Sequence, residues 1–460
     1  MTARSSSVCA AGRLDTLCPE GMREDRLGLL RDLEFLKFWG GQSISLLGTQ
    51  FTLLALPIVA AVTLRATPAE MGVLIAAQFA PGLLISLAAG VWLDRARHRP
   101  VLVGTQLVSA VVLATVPVAA VVHVLSMPQL FAVAFLAGSA NTVFAVALSS
   151  FLPTLVGRGR LVEANARYQS SFTVASLVGP GLAGATVQLL TAPIAIAADA
   201  ASFLVGATTA GWLRVHEPAP ELAPHGHAVG EAAEGLALLW RQPLVRAITG
   251  TLMVANAGGN MTSAVFVLLF VSEIGKSLGG GGQLPPFAAA SLSSLVGSLL
   301  IRPLQRRVGL GRVMVLAPIV VGVGVLVRAG AAFTHPPVTF PVLVAGGLIS
   351  GFGLMAYNVP QQAIRQAVIP DRMLGRTAAG VTLTVYSASI VGAFAGGLLG
   401  QSIGLRSTLL VATAIMALCV LPTALSPLRA LRDVPVGPGE RNMRRRAEFP
   451  TAGGAFPNSG

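Results

Sequence analysis

Charge is what this sequence has least of. Asp, Glu, Lys and Arg make up 11% of its 460 residues, against about 25% in soluble domains, too few to cover a water-facing exterior. Aromatic rings that stack on bases are sparse too, with 4 Trp and 3 Tyr. No basic stripe interleaves with them, so the net charge of +13 does not indicate a nucleic-acid partner. The 3 cysteines, Cys9, Cys18 and Cys419, fit no zinc or redox spacing and read as reduced thiols. No nucleophile motif or intramembrane His pair appears. Gly275-Lys276-Ser277 has Phe270 where a phosphate-binding loop carries its first glycine. These absences argue against an enzyme, a metal or other cofactor, and an ATP motor. The N-terminus has no short apolar core before a small-residue site, so no cleavable signal peptide is expected.

Apolar residues are plentiful at 53%, with mean hydropathy +0.73. They fall in runs near the 20 residues that span a bilayer, and in lipid such runs must be helical to satisfy their own backbone groups. Twelve spans are expected. They are Phe38–Thr63, Met71–Leu93, Val101–His123, Gln129–Leu152, Asn165–Leu190 and Pro193–Leu213, then Ile248–Val271, Phe287–Leu304, Val313–Phe333, Phe340–Ala363, Thr377–Ile403 and Thr408–Leu425. Pro57, Pro81, Pro117 and Pro153 sit inside them as candidate kinks.

With an even number of spans, both termini share a face. That face collects all but four of the 32 Lys and Arg residues, the exceptions being Arg65, Lys276, Arg328 and Arg406. By the positive-inside rule the termini are cytoplasmic and the membrane is the cell membrane. The chain then divides into a cytoplasmic tail (1–37), a six-helix bundle (38–213), a polar central loop (214–247), a second six-helix bundle (248–427) and a disordered cytoplasmic tail (428–460). Arg444-Arg445-Arg446 in that last tail suits anionic lipid or plain solvent. The halves repeat. Gly179, Gly184 and Leu161 match Gly392, Gly397 and Leu374 at an offset of 213, and Gly90 and Arg99 match Gly297 and Arg306 at 207. Parallel repeats of this kind are a transporter signature. The fold class is therefore an all-α integral membrane protein of twelve helices in two pseudo-symmetric halves.

At these residues the chain resembles the major facilitator superfamily, over about residues 35 to 427. The superfamily's loop between helices two and three is matched by Gly90, Asp94, Arg95 and Arg99, with Arg97 and His98 departing from it. Gly179-Pro180-Gly181-Leu182-Ala183-Gly184 is similar to the motif of drug-proton antiporters. With Glu163-Ala164-Asn165-Ala166 and Asp199-Ala200-Ala201-Ser202-Phe203, it is most similar to the macrolide and siderophore exporters. The resemblance implies a gating role for Asp94, Arg95 and Arg99, with the helix that starts after Arg376 as the candidate partner of Asp94. It also implies helix packing through Gly179, Pro180 and Gly184, and places helices one, four, seven and ten around a cavity.

Read physically, Asp94 ends a helix where a carboxylate can face a helix N-terminus or an arginine, and charges there also serve as a plain solvated turn. Asp199 is the carboxylate set deepest in a span. It is either a proton site or a structural group held by hydroxyls or by Arg328. Gln42, Gln50, Asn141, Gln169, Asn256, Asn260, Tyr357, Asn358 and Gln361 are the polar candidates for substrate binding, with about half expected to be interhelical glue. The expected function is proton-coupled efflux of a small amphipathic molecule, as an antiporter working by alternating access and as a monomer. Uptake of a small solute and a non-transporting membrane sensor are the alternatives.

Overall fold

A computed structural model of the chain describes residues 28–431 except 94, 216, 218–236, 238, 272–292, 294, 295, 298, 299, 302, 335 and 370. Asp94, Gly275-Lys276-Ser277, Cys9 and Cys18, most of the expected eighth span and the tail after 431 thus lie outside the described residues.

All regular structure among the described residues is helical. The first half holds α1 (Leu33–Val62), α2 (Pro68–Leu84), α3 (Ser86–Leu93), α4 (His98–Val121), α5 (Met127–Val156), α6 (Leu161–Leu189) and α7 (Ala192–Gly211). The second holds α8 (Pro243–Leu269), α9 (Leu310–Gly330), α10 (Pro336–Val368), α11 (Asp371–Ser402), α12 (Leu405–Leu418) and the short α13 (Leu421–Ala424). Among the described residues, ten stretches are long and apolar enough to cross a bilayer.

Local chemistry sets the ends. Asp32 starts α1 by accepting the N–H groups of Glu34 at 3.1 Å and Phe35 at 3.3 Å. Thr67 and Glu70 start α2 with a reciprocal capping box, each side chain taking the other's backbone N–H, at 2.7 and 3.3 Å. The second expected span needs correcting. It is not one helix but α2 and α3, separated at Ile85. The break follows Gly82, against which the ring of Tyr386 from α11 lies; Pro81, whose missing N–H leaves only the Ala77 carbonyl upstream without its donor, stays inside α2 and accepts from Ile85 N at 2.8 Å. Pro57, Pro117 and Pro153 remain inside α1, α4 and α5.

The repeat inferred from sequence is present as contact geometry. On α6, Gly179 receives the side chain of Gln50 from α1; on α11, Gly392 receives the backbone of Ala257 from α8. Gly179 and Gly392 are related by the offset of 213, and Gln50 and Ala257 by that of 207. Both members of each contact therefore have a counterpart in the other half.

Among the described residues of the first half, successive spans are antiparallel, so one face carries the basic turns 95–97 and 157–160 and the other carries the turns 63–67, 122–126 and 190–191. The halves are joined toward that second, basic-poor face. There the core cluster of Ala55, Met71, Leu130 and Ile196 in the first half takes in Ala264 and Leu268 of α8 and Ala393 of α11. Its main seam is α2 against α11. A methyl added at Gly72 would meet the Ala393 carbonyl oxygen at 2.6 Å and the Gly397 Cα at 2.9 Å, so the two backbones are in contact. Further along, Phe79 packs on Tyr386 with ring centroids 5.8 Å apart. Toward the basic face the clusters separate. One, around Phe35, Phe151 and Leu93, draws only on the first half; another, around Ile248, Met314 and Ile364, only on the second.

Candidate functional site

The expected polar residues divide between two cavities, one in each half. In the first half, Gln42 and Asn141 border a narrow space between α1, α4 and α5, with a volume of about 30 Å³, room for one or two waters. Its polar groups pair with one another except for Gln42 Nε2, which is buried without a partner. Gln106 on α4 donates through Nε2 to Gln42 Oε1 at 3.0 Å, and Ser45 donates to Gln106 Oε1 at 3.4 Å. All three are buried. This network was not expected in full, because Gln106 and Ser45 give no periodic signal apart from other helix-facing polar residues.

In the second half, Asn256 and Asn260 on α8 and Tyr357 and Asn358 on α10 line a larger cavity of about 410 Å³. Pro318 and Val321 from α9 and Met416 and Cys419 at the end of α12 complete its wall. No described lining residue is charged. Asn256 Nδ2 donates to the Leu252 carbonyl at 2.8 Å, and Asn260 Nδ2 to that of Asn256 at 2.9 Å. Tyr357 reaches across to the Ile248 carbonyl at 3.4 Å. The cavity is of the size, and of the mainly apolar character with a few fixed polar groups, that suits a drug-sized ligand.

Three of the expected substrate residues lie elsewhere. Gln50 packs over Gly179 and serves the α1–α6 contact. Gln169 is exposed on α6 and borders neither cavity. Gln361, one turn past Tyr357, is buried with Oε1 unpartnered and does not line the cavity. Of the packing motif, Gly179 and Gly184 are buried on α6 with Pro180 inside the helix.

The basic loop is organised within the first half. Arg99 donates through Nε to the Ala210 carbonyl at 3.2 Å and through Nη2 to that of Gly211, at the C-terminal end of α7. The Glu217 carboxylate accepts the N–H groups of His98 at 3.0 Å and Arg99 at 2.7 Å, at the N-terminal end of α4. Each charge thus lies at the helix end whose dipole it complements. Arg95 lies in the turn after α3. Neither Asp94 nor the Arg376 side chain is among the described atoms.

Asp199 is buried on α7 at 1% exposure. Ser202 shares its one hydroxyl hydrogen between the Asp199 backbone carbonyl at 2.8 Å and Oδ1 at 3.1 Å, and Oδ2 has no partner. Gly48 on α1 packs directly on Asp199 and Ser202. Of the two holders named for a structural Asp199, the hydroxyl is present, on Ser202, and Arg328 is not its counter-ion. That arginine belongs to α9 in the other half, where it lies over the Phe266 ring at 4.6 Å.

The family model of the Major Facilitator Superfamily matches residues 38–291 and 259–455. Among curated proteins, the chain is 26% identical to the multidrug efflux pump Tap of Mycolicibacterium fortuitum, over 72% of this chain and 80% of that one. It is 25% identical to the MFS-type transporter YfiS of Bacillus subtilis strain 168, over 83% and 90%. Among solved structures, the nucleoside transporter NupG is 15% identical and covers 85% of this chain and 98% of its own, with a TM-score of 0.66. A bacterial homologue of the iron transporter ferroportin in its inward-facing state is 17% identical over 86% and 98%, also with a TM-score of 0.66. The low identities of these two structures carry the fold alone. The two repeated halves, the seam between them and the match of the family model across both lead to one identification: the chain is a transporter of the major facilitator superfamily.

Proposed function

We propose that this chain is a proton-coupled exporter of a small, amphipathic, drug-like molecule, embedded in the cell membrane as a monomer with both termini in the cytoplasm. The single observation that carries the reading is the uncharged, amide-dotted cavity of about 410 Å³ in the second half of a transporter fold. Such a lining suits a solute with a large apolar body and a few polar groups. Resemblance to a protein named as a multidrug efflux pump supports export. In this arrangement the basic face is cytoplasmic, and the halves, sealed along α2 and α11 toward the outside, leave the cavities to be approached from within.

The proton is assigned to Asp199. An ionised carboxylate at that depth costs several kcal/mol, and protonation removes the cost, so loading and unloading a proton there is coupled to the packing of α7 on α1. Asp94, Arg95 and Arg99 are the gating group of the cytoplasmic loop.

The test is drug susceptibility and labelled-drug accumulation in cells with and without the gene, repeated with a protonophore. Lower accumulation in expressing cells that the protonophore abolishes supports the reading. Accumulation that rises on expression means uptake, and a protonophore-insensitive difference removes the proton.

A further inference from the structure

The two cavities differ in what their polar groups are doing, and that difference specifies a ligand chemistry. In the first half Gln106 donates to Gln42 and Ser45 to Gln106 in a space of only about 30 Å³, and the one atom of these amides left over is a donor, Gln42 Nε2. In the second half Asn256, Asn260 and Tyr357 are spent on backbone instead, each through a hydrogen, while the Thr251 hydroxyl in the same lining makes no backbone contact. A carbonyl oxygen only accepts, so the contacts of Asn256 to Leu252 and of Asn260 to Asn256 must run through Nδ2, and that of Tyr357 to Ile248 through its hydroxyl hydrogen. The amide oxygens of Asn256 and Asn260 then keep their lone pairs, whereas the Tyr357 oxygen has the Thr251 hydroxyl beside it. One turn along α10, the buried Gln361 Oε1 is also an acceptor without a donor. A buried polar atom left unpaired is unfavourable, so the second half holds acceptor capacity that its own helices do not use.

Building on the transport reading above, we propose that the second-half cavity is the substrate seat, and that it recognises its ligand by hydrogen-bond donors, O–H or N–H, on an otherwise apolar and uncharged body. Carboxylates are disfavoured, since they bring acceptors to acceptors and meet no cation in the described lining. Cations that lack N–H or O–H groups are disfavoured, since no described carboxylate lines the cavity. The first-half cavity is structural glue.

The experiment uses the full-length protein purified in detergent. The probes are chloramphenicol, which is neutral and carries two hydroxyls and an amide N–H; its 1,3-diacetate, in which both hydroxyls are blocked; tetraphenylphosphonium; and benzoate. Affinity is read from the concentration dependence of the thermal-unfolding shift. Chloramphenicol should stabilise the protein, and the diacetate should bind at least 10-fold more weakly, or about 1.4 kcal/mol. Asn256→Leu and Asn260→Leu should each cost a similar factor for chloramphenicol, whereas Gln42→Leu should leave its affinity unchanged. Asn256→Gln, which keeps an amide with both the donor and the acceptor, controls for misfolding and should retain binding within a few-fold.

Equal binding of chloramphenicol and its diacetate overturns the proposal. So does a preference for tetraphenylphosphonium or benzoate, a loss confined to Gln42→Leu, or no shift with any probe. Energised efflux of chloramphenicol from vesicles that persists in Asn256→Leu and Asn260→Leu removes this seat while leaving the transport reading intact. Absence of energised flux in the wild type, with binding retained, removes the transport reading and leaves the seat.

Discussion

Arg99 and Asp199 are both charged residues singled out from sequence, and the structure gives them opposite surroundings. Arg99 is held by the two carbonyls that end α7, at the surface of one half. Arg99→Gln should therefore lower stability by about 1–3 kcal/mol through the freed carbonyls, measured as a drop in the thermal midpoint in detergent. Arg99→Lys should recover only part of it, since a point charge replaces a fork of donors. A role confined to gating would change transport and leave that midpoint alone. Asp199 has one oxygen satisfied and one not. Asp199→Asn keeps the shape and removes the exchangeable proton, so protonophore-sensitive efflux should fall at least 10-fold with expression unchanged. Normal proton-coupled flux in that variant would reassign Asp199 to the α1–α7 contact. The types of these residues could be read from sequence but their partners could not, because Ala210, Gly211 and Gly48 take part through backbone or through the absence of a side chain and leave no mark in composition.

Among the elements, α2 and α11 matter most, because they pack backbone to backbone across the boundary between the halves. Their approach depends on Gly72, Gly397 and Gly400, where a single added methyl would meet backbone or proline atoms at 2.6 to 3.0 Å. Gly72→Leu should keep the halves from closing here. Transport should be lost, and a cysteine introduced at Ala76, which is 2% exposed in the sealed arrangement, should react faster with a membrane-impermeant maleimide added outside. Unchanged reactivity would mean that the seam is not the outer seal. The spans themselves were legible because hydropathy sums over about 20 residues and tolerates errors at the ends. The division of α2 from α3 was not, since Pro81 sits in a helix much as Pro57 does and the Tyr386 ring lies some 300 residues away in the chain.

At the scale of the molecule, the match of Gly179–Gln50 to Gly392–Ala257 confirms a repeat that the sequence carried only as spaced glycines. Asymmetry between the halves was hidden. Gln42, Asn141, Asn256 and Asn358 look alike in a polar-residue list, yet one half has closed on its amides and the other holds a cavity of about 410 Å³. Topology supplies the prediction at this scale. Epitope tags on the two ends should both be reached only after the membrane is permeabilised, and access to one tag from outside would invert or break the twelve-span arrangement.

The residues that bring α2 and α11 together, Pro68, Gly72, Phe79 and Gly82 with Tyr386, Ala393, Gly397 and Gly400, are all uncharged. Attraction across them is short-ranged dispersion, which ions in the surrounding fluid do not screen. The rate at which this seam opens and shuts should accordingly be the same in dilute and concentrated salt, so any response of the cycle to ionic strength arises at the charged loop on the opposite face.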